Sequence, residues 1–189
     1  MTEQAPPRGV RAIAFAGMPG AGKTIAVEVA TEMGFPVFRM GDAVWAEVRA
    51  RGLALAPDVV GKVASEMRER HGRGVWADRT ADRAIASGAP VVVIDGVRSM
   101  DEVGVFRARL GEDFILVGIH AAPRLRLARL LARHREDDVR NEAEFEARDT
   151  RELGWGLGAV LALADVMLVN HGSVEGIRRE VAAVLRYSR

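Results

Sequence analysis

The chain has 189 residues, a formal net charge of +1 and no cysteine. One domain of this length buries a sizeable core, and the lack of cysteine excludes disulfides and thiolate metal sites. The near-neutral charge gives no global reason to expect a nucleic-acid partner, and no apolar run approaches the roughly 18 residues of a membrane span. We therefore expect a cytoplasmic protein without a membrane partner, and the composition indicates no particular oligomeric state.

Residues 1–9 are polar and contain Pro6-Pro7, which is typical of a flexible tail rather than a signal peptide. Residues 10–189 are predicted to form a single domain. Its first element is a short apolar strand over residues 10–16, and a helix is predicted over residues 24–33. The segment between this strand and this helix carries the strongest functional motif of the chain.

A phosphate-binding loop pattern, G-x-x-x-x-G-K-[ST], is matched at every fixed position by Gly17-Met18-Pro19-Gly20-Ala21-Gly22-Lys23-Thr24. Gly17 and Gly22 allow the backbone to curl so that successive amide N–H groups form a nest for phosphate oxygens. Lys23 brings a positive charge to the β and γ phosphates, and Thr24 offers a hydroxyl to Mg²⁺. A chance glycine-rich turn is the alternative, but the flanking strand and helix favour nucleotide binding.

Strands and helices alternate along the rest of the chain. Further strands are predicted at residues 35–40, 91–95, 113–120 and 166–170. Helices are predicted at residues 42–51, 56–70, 75–86, 100–110, 123–134, 142–153 and 173–187. This alternation predicts an α/β fold in which a five-stranded parallel sheet has helices on both faces. The helices between the second and third strands form a predicted helical insertion over residues 42–88.

Three charged side chains follow predicted strands, at the sheet edge where open α/β folds bind ligands. Asp95 ends the third strand and either holds Mg²⁺ together with Thr24 or caps the next turn. Asp42 follows the second strand and is either a functional residue or an ordinary helix N-cap. Arg98 follows the third strand, and its guanidinium either grips an acceptor phosphate or lies on the solvated surface.

Arginine is dense between the fourth and fifth predicted strands. The residues concerned are Arg129, Arg133, Arg135, Arg140, Arg148 and Arg151. Such charge density is usually a solvated surface. Its position also fits a mobile lid, over residues 133–152, that brings positive charge to a transferred phosphoryl group and excludes water. We expect the lid.

Several short motifs lie along the chain together. Besides the phosphate loop, they are Met40-Gly41-Asp42, Asp95-Gly96-Val97-Arg98-Ser99, Arg135-Glu136-Asp137-Asp138, Arg148-Asp149-Thr150-Arg151-Glu152-Leu153-Gly154, and Leu163-Ala164-Asp165 with Asn170. Taken together they resemble an archaeal family of P-loop proteins that is itself similar to dephospho-CoA kinase and to CMP/adenylate kinases. The resemblance spans nearly the whole chain after residue 9.

This resemblance implies a P-loop NTPase fold of the nucleoside-monophosphate-kinase type, with ATP and Mg²⁺ as cofactors. On that pattern Asp42 and Arg98 lie on the acceptor side, and the catalytic cations are Lys23, Arg133, Arg135 and Arg148. The chain departs from the pattern at Trp45, where such kinases often have an arginine. The contact to an acceptor phosphate is therefore either missing there or supplied by Arg49.

The favoured function is a small-molecule kinase that transfers the γ-phosphoryl group of ATP to a nucleotide-like or CoA-precursor acceptor. The alternative is an ATP-hydrolysing regulatory protein without a small-molecule acceptor. A nucleic-acid-linked ATPase is disfavoured by the near-neutral charge and the lack of interleaved aromatic and basic residues. The chain has no N-K-x-D and no L-S-G-G-Q motif, which argues against a GTPase switch and against a transporter-type ATPase.

Overall fold

The computed structural model describes residues 10–133 and 139–187. The predicted tail over residues 1–9 lies outside the described residues. So does Arg135, one of the predicted lid arginines.

Five strands form one parallel sheet in the described part of the chain. They are β1 (Arg11–Ala16), β2 (Val37–Arg39), β3 (Val91–Asp95), β4 (Phe114–His120) and β5 (Val166–Val169). Their order is β2-β3-β1-β4-β5, so the strand that leads into the phosphate loop lies at the centre of the sheet. The predicted α/β class with a five-stranded parallel sheet is confirmed.

The described helices are α1 (Lys23–Glu32), α2 (Met40–Ala50), α3 (Pro57–His71), α4 (Val75–Ala86), α5 (Met100–Leu110), α6 (Pro123–Arg133), α7 (Glu142–Gly154), α8 (Leu157–Ala162) and α9 (Val174–Tyr187). A short 3-10 helix at Gly111–Asp113 precedes β4. None of the helices within the described residues has the length and apolarity needed to cross a bilayer.

Both faces of the sheet are covered, as parallel sheets require. On one face, Val29 of α1 and Val181 of α9 pack into a core cluster with Phe15 of β1. On the other face, Trp76 of α4 and Phe106 of α5 are fully buried in a second cluster, which includes the small side chains of β1. The prediction of helices on both faces is confirmed.

The three helices between β2 and β3 are α2, α3 and α4, in the place of the predicted helical insertion. The indole Nε1 of Trp76 on α4 donates a hydrogen bond to the backbone O of Ala64 on α3, at 3.2 Å. Arg51, which follows α2, bonds Glu66 of α3 at 2.9 Å. Because Trp76 belongs to the same core cluster as Val92 and Ile94 of β3, these helices share an apolar core with the sheet.

The junction between β2 and α2 differs from the prediction. β2 ends at Arg39 and α2 begins at Met40, two residues earlier than predicted. Arg39 has extended backbone (φ −89°, ψ 131°) and occupies the N-cap position, so the interpretation of Asp42 as an N-cap is wrong. The early start turns Met40 into the apolar core, where it is 5% exposed. Asp42 lies in the first turn of α2, where a carboxylate interacts favourably with the helix dipole.

Candidate nucleotide-binding site

The phosphate loop connects β1 to α1 at the carboxyl edge of the sheet. Gly20 and Gly22 have φ values of 78° and 117°, in the left-handed region that favours glycine. A Cβ atom on Gly17 would lie 2.8 Å from the backbone O of Ile119, and one on Gly20 would lie 2.8 Å from the backbone O of Arg126. Glycine is therefore required here both by the turn and by close backbone packing.

The carbonyl groups of three successive loop residues each accept a hydrogen bond from a side chain outside the loop. The donor–acceptor pairs are Arg126–Pro19 (3.1 Å), Arg129–Gly20 (3.5 Å) and Asn170–Ala21 (2.8 Å). A carbonyl and the amide of the following residue belong to one planar peptide group. Anchoring these carbonyls therefore also fixes the direction of the three amides that follow them.

Arg126 is a residue of the candidate site that sequence reasoning missed. It is 3% exposed, and its Nη1 donates to Oδ1 of Asp149 at 2.8 Å while its Nη2 bonds the second carboxylate oxygen. Its guanidinium also lies over the ring of Phe145, at 4.9 Å from the centroid. A buried arginine needs such a carboxylate partner. The Arg126–Asp149 ion pair thus joins α6, α7 and the phosphate loop.

The leucines of α6, which are Leu125, Leu127, Leu130 and Leu131, do not all point inward. Leu130 is buried, whereas Leu131 is 38% exposed and Arg126 takes an inward position. The leucine pattern alone therefore gave no indication that a charged side chain is buried in this helix.

Lys23 lies at the start of α1 and faces the cavity of the loop. Its Nζ donates a hydrogen bond to the backbone O of Gly17 at 2.6 Å. Burial lowers the pKa of Lys23 below its usual value, and the nearby Asp95 carboxylate partly opposes this shift. Arg98 and Arg148 lower the same pKa further and Glu152 raises it, so side chains of both charges surround the ammonium group.

Asp95 is the last residue of β3 and pairs in register with Phe15 of β1, two residues before the loop begins. Its Oδ1 atom is buried and has no hydrogen-bond partner among the residues that the structure describes. Burial raises the pKa of Asp95 above its usual value, although the charge of Lys23 acts in the opposite direction. A buried polar atom without a partner is uncommon in folded proteins and requires a physical explanation.

The loop, the end of β3 and helices α6 and α7 enclose a cavity of about 510 Å³. The predicted site residues that line it are Gly17, Met18, Pro19, Gly20, Gly22, Lys23, Thr24, Asp95, Arg98, Arg133 and Arg148. The cavity is also lined by Arg129, one of the arginines considered for the lid, and by Glu152 and Asn170, which belong to the motifs of the family resemblance. Ala21 is buried, Asp42 lies on α2, and neither belongs to the described lining.

Contacts of both its backbone and its side chain hold Arg98 in place. Its backbone N–H donates to Oε2 of Glu102 at 2.8 Å, and Glu102 forms a capping box with Ser99 at the start of α5. Its guanidinium lies over the ring of Trp155, 5.1 Å from the centroid, and its Nε lies 3.6 Å from Oε2 of Glu152. The α7–α8 segment therefore holds Arg98 at the mouth of the cavity.

Relatives of the chain share most of its length. The UPF0200 protein of Hyperthermus butylicus is 45% identical over 173 residues, which covers 92% of each chain. This chain belongs to the UPF0200 family. The UPF0200 protein of Thermococcus kodakarensis is 46% identical over 168 residues, covering 87% of this chain and 91% of that protein.

A family model described as an AAA domain matches residues 16–146 of this UPF0200 protein. Among solved structures, shikimate kinase from Acinetobacter baumannii superposes with a TM-score of 0.57 at 15% identity, covering 96% of each chain. A gluconokinase from Sinorhizobium meliloti superposes with a TM-score of 0.58 at 18% identity, covering 96% of this chain and 95% of that chain. These likenesses show the P-loop kinase-like fold, and the predicted family resemblance is confirmed.

The close approach of the loop to α6 leads to a first prediction, for Gly20→Ala. The new Cβ would meet the backbone of Arg126, and a left-handed φ costs a non-glycine residue about 1–3 kcal/mol. We expect the Kd for ATP to rise at least about tenfold, which corresponds to about 1.4 kcal/mol, and calorimetric titration measures it.

Gly34→Ala is the matched control, because Gly34 has a similar φ of 81° but nothing within 4 Å of the added Cβ. That variant should lose stability through backbone strain alone and should keep its affinity for ATP. Equal affinity losses in both variants would contradict the packing argument.

Proposed function

We propose that this UPF0200 protein is an ATP-dependent phosphotransferase that transfers the γ-phosphoryl group to a nucleotide-like or CoA-precursor small molecule. One observation carries the proposal: the phosphate loop shares a single cavity with a strand-end carboxylate, Asp95, and with the guanidinium of Arg98. Arg98 adds a cation to this cavity beyond the lysine of the loop, as the binding of a second, anionic substrate would require. The kinase-like fold supports the same class of reaction.

In this proposal, catalysis consists of positioning and charge stabilisation. Lys23 binds the β and γ phosphates and stabilises the charge that develops on them. Arg133 at the end of α6 and Arg148 on α7 reach the same cavity and would neutralise the oxygens of the transferred group. Arg135 would act with them as a lid residue. Asp42, away from the described cavity lining, stays a prediction for the acceptor side.

The residues present fit a Mg²⁺ ion. Thr24 and Asp95 both line the cavity, and both offer the oxygen ligands that Mg²⁺ prefers. The unpartnered Oδ1 of Asp95 supports this assignment, since a buried carboxylate oxygen requires a cation or a donor. When bound there, Mg²⁺ would neutralise charge on the phosphates.

The proposal is tested by incubating the protein with γ-labelled ATP, Mg²⁺ and a panel of acceptors that includes nucleoside monophosphates and dephospho-CoA. We expect label to appear in an acceptor, at a rate that depends on its concentration. Label released only as inorganic phosphate, at one rate with and without every acceptor, would instead favour the ATP-hydrolysing alternative.

Asp95→Asn is a second prediction, with opposite effects on stability and on activity. Because burial raises the pKa of Asp95, its surroundings favour the neutral form, and the ionised form weakens the fold at pH 7. We expect the variant to melt at a higher temperature without ligands while Mg²⁺-dependent ATP turnover falls at least about 100-fold. The gain in melting temperature should shrink as the pH is lowered, because Asp95 then becomes protonated in the wild type.

Glu180→Gln serves as the control, since Glu180 is an exposed carboxylate in the interior of α9 rather than in the first turn of a helix. It should change neither the melting temperature nor turnover. A lower melting temperature for the Asp95 variant, or full turnover, would count against the assignment of Asp95.

A further inference from the structure

A second buried carboxylate lines the cavity on its acceptor side. Glu152, on α7, is 7% exposed, and its carboxylate lies within an electrostatic environment that includes Lys23 and Arg98. Arg148 stands one helical turn earlier on α7, at i,i+4 spacing, and lines the same cavity. Glu152 therefore adds a second carboxylate, besides that of Asp95, to the cavity.

The other buried glutamate near this site, Glu102, has a purely structural task. Its Oε2 accepts hydrogen bonds from the backbone N–H groups of Arg98 and Ser99, at 2.8 and 3.3 Å. Glu152 makes no such backbone cap in the described structure, and its contact with Arg98 is an ion pair at 3.6 Å rather than a hydrogen bond. Its carboxylate is thus available to a group that enters the cavity beside Arg98.

The chemistry of the acceptor decides whether such a carboxylate is useful. A phosphate acceptor arrives already ionised, because the second pKa of a phosphomonoester is about 6, and a nearby carboxylate would repel it. A hydroxyl acceptor is neutral and must lose its proton as its oxygen attacks phosphorus. A carboxylate placed to accept that proton therefore favours a hydroxyl over a phosphate as the attacking group.

We propose that Glu152 accepts the proton of an acceptor hydroxyl, so that the acceptor is a hydroxyl-bearing anion rather than the phosphate group of a nucleoside monophosphate. This inference rests on the proposed kinase function. The acceptor oxygen forms a bond to the γ-phosphorus of ATP, the bond from that phosphorus to the β,γ-bridging oxygen breaks, and its electron pair leaves with ADP. The hydroxyl proton passes to Glu152, which returns it to water after the product leaves.

Cationic side chains close to Glu152 would bind the anionic group of such an acceptor. Arg98 and Arg151 both lie over the ring of Trp155, at 5.1 and 5.7 Å from its centroid. Trp155 is 45% exposed, so this cationic and aromatic surface is open to a ligand. An anionic group bound by these guanidinium groups would bring a neighbouring hydroxyl toward Glu152 and the γ-phosphate.

The class of acceptor is tested with the wild-type protein by identifying the bond between the transferred phosphoryl group and the acceptor. Dephospho-CoA, shikimate, gluconate and nucleoside monophosphates are each supplied with ATP and Mg²⁺, and the products are examined by phosphorus NMR. A new phosphomonoester, without coupling to a second phosphorus, is the expected result. A product in which the new phosphorus is coupled to the acceptor's own phosphate would overturn this inference and leave the kinase proposal standing. ATP hydrolysis that no acceptor alters would overturn both.

The role of Glu152 is tested with Glu152→Gln, which keeps the shape of the side chain and removes the carboxylate that would accept the proton. We expect the kcat of transfer to fall at least about 100-fold while the Kd for ATP changes less than about twofold. Glu152→Asp keeps a carboxylate and should recover part of the lost kcat. Glu146→Gln, at an exposed position of α7, should match the wild type.

Two results would overturn the assignment of Glu152. One is a Glu152→Gln variant that retains a third or more of the wild-type kcat. The other is an equal loss in the Gln and Asp variants together with a higher acceptor KM, which would mean that Glu152 only supports Arg98.

Discussion

Lys23→Ala is expected to reduce ATP turnover at least about 100-fold, the usual cost of removing one group that stabilises transition-state charge. The reason is the position of the ammonium group, which faces the cavity from the start of α1 and is bonded to the loop carbonyl of Gly17. Steady-state phosphate release and calorimetric titration with ATP measure the effect. The fold should not suffer, because the substitution removes a charge that burial already disfavours.

The chain offers a matched control, because Lys62 is its other lysine. Lys62 is exposed on α3, and Lys62→Ala should leave turnover and ATP affinity unchanged. Burial lowers the pKa of Lys23 from its usual 10.5, so ATP affinity should also weaken on the alkaline side before an ordinary lysine loses its proton. Turnover within threefold of the wild type in Lys23→Ala would remove the basis of the proposed function.

Asp149→Asn is expected to destabilise the protein by about 3–5 kcal/mol, because it leaves the guanidinium of Arg126 buried without its counter-ion. The side chain of Arg126 is 4% exposed and that of Asp149 is 17% exposed, so solvent compensates little of the loss. The same change should weaken ATP binding, since Arg126 anchors the carbonyl of Pro19 in the phosphate loop. Chemical denaturation and ATP titration measure the two effects separately.

A double variant separates folding from loop geometry. Arg126→Met with Asp149→Leu replaces the buried pair by apolar side chains, which often restores stability. We expect stability to recover while ATP affinity stays low, because the anchor of Pro19 is still missing. The surface pair of Arg178 and Glu32 is the control, and Arg178→Met should cost no more than about 1 kcal/mol. Full ATP affinity in the double variant would contradict the anchoring function of Arg126.

The parts of the fold that sequence reasoning reached are those encoded within a few neighbouring residues. The β-branched run that ends at Asp95 indicates a buried strand whose last residue lies at the ligand edge, and β3 has those bounds. The spacing of glycines and Lys23 defines the phosphate loop, which lines the cavity in the structure. In both cases the signal is local, because strand burial and loop curvature are set by adjacent residues.

The features that sequence reasoning missed depend on contacts between residues that are distant in the chain. Arg126 can be buried only because Asp149 lies opposite it, 23 positions away. The start of α2 depends on whether Met40 reaches the core, which its own neighbours do not specify. The sequence of α6 does not reveal the partner of Arg126, because Asp149 comes to lie opposite it only when α6 and α7 are packed together.

The three side chains that hold the carbonyls of Pro19, Gly20 and Ala21 also have an electronic effect on the loop. A peptide group whose oxygen accepts a hydrogen bond is polarised, and its N–H becomes a stronger donor. Two of the three donors here are guanidinium groups, whose positive charge adds to the polarisation. The amides of Gly20 and Gly22 should therefore bind an anion more strongly than ordinary backbone amides do, whereas the amide of Ala21 already donates to the carbonyl of Met18 at 3.0 Å.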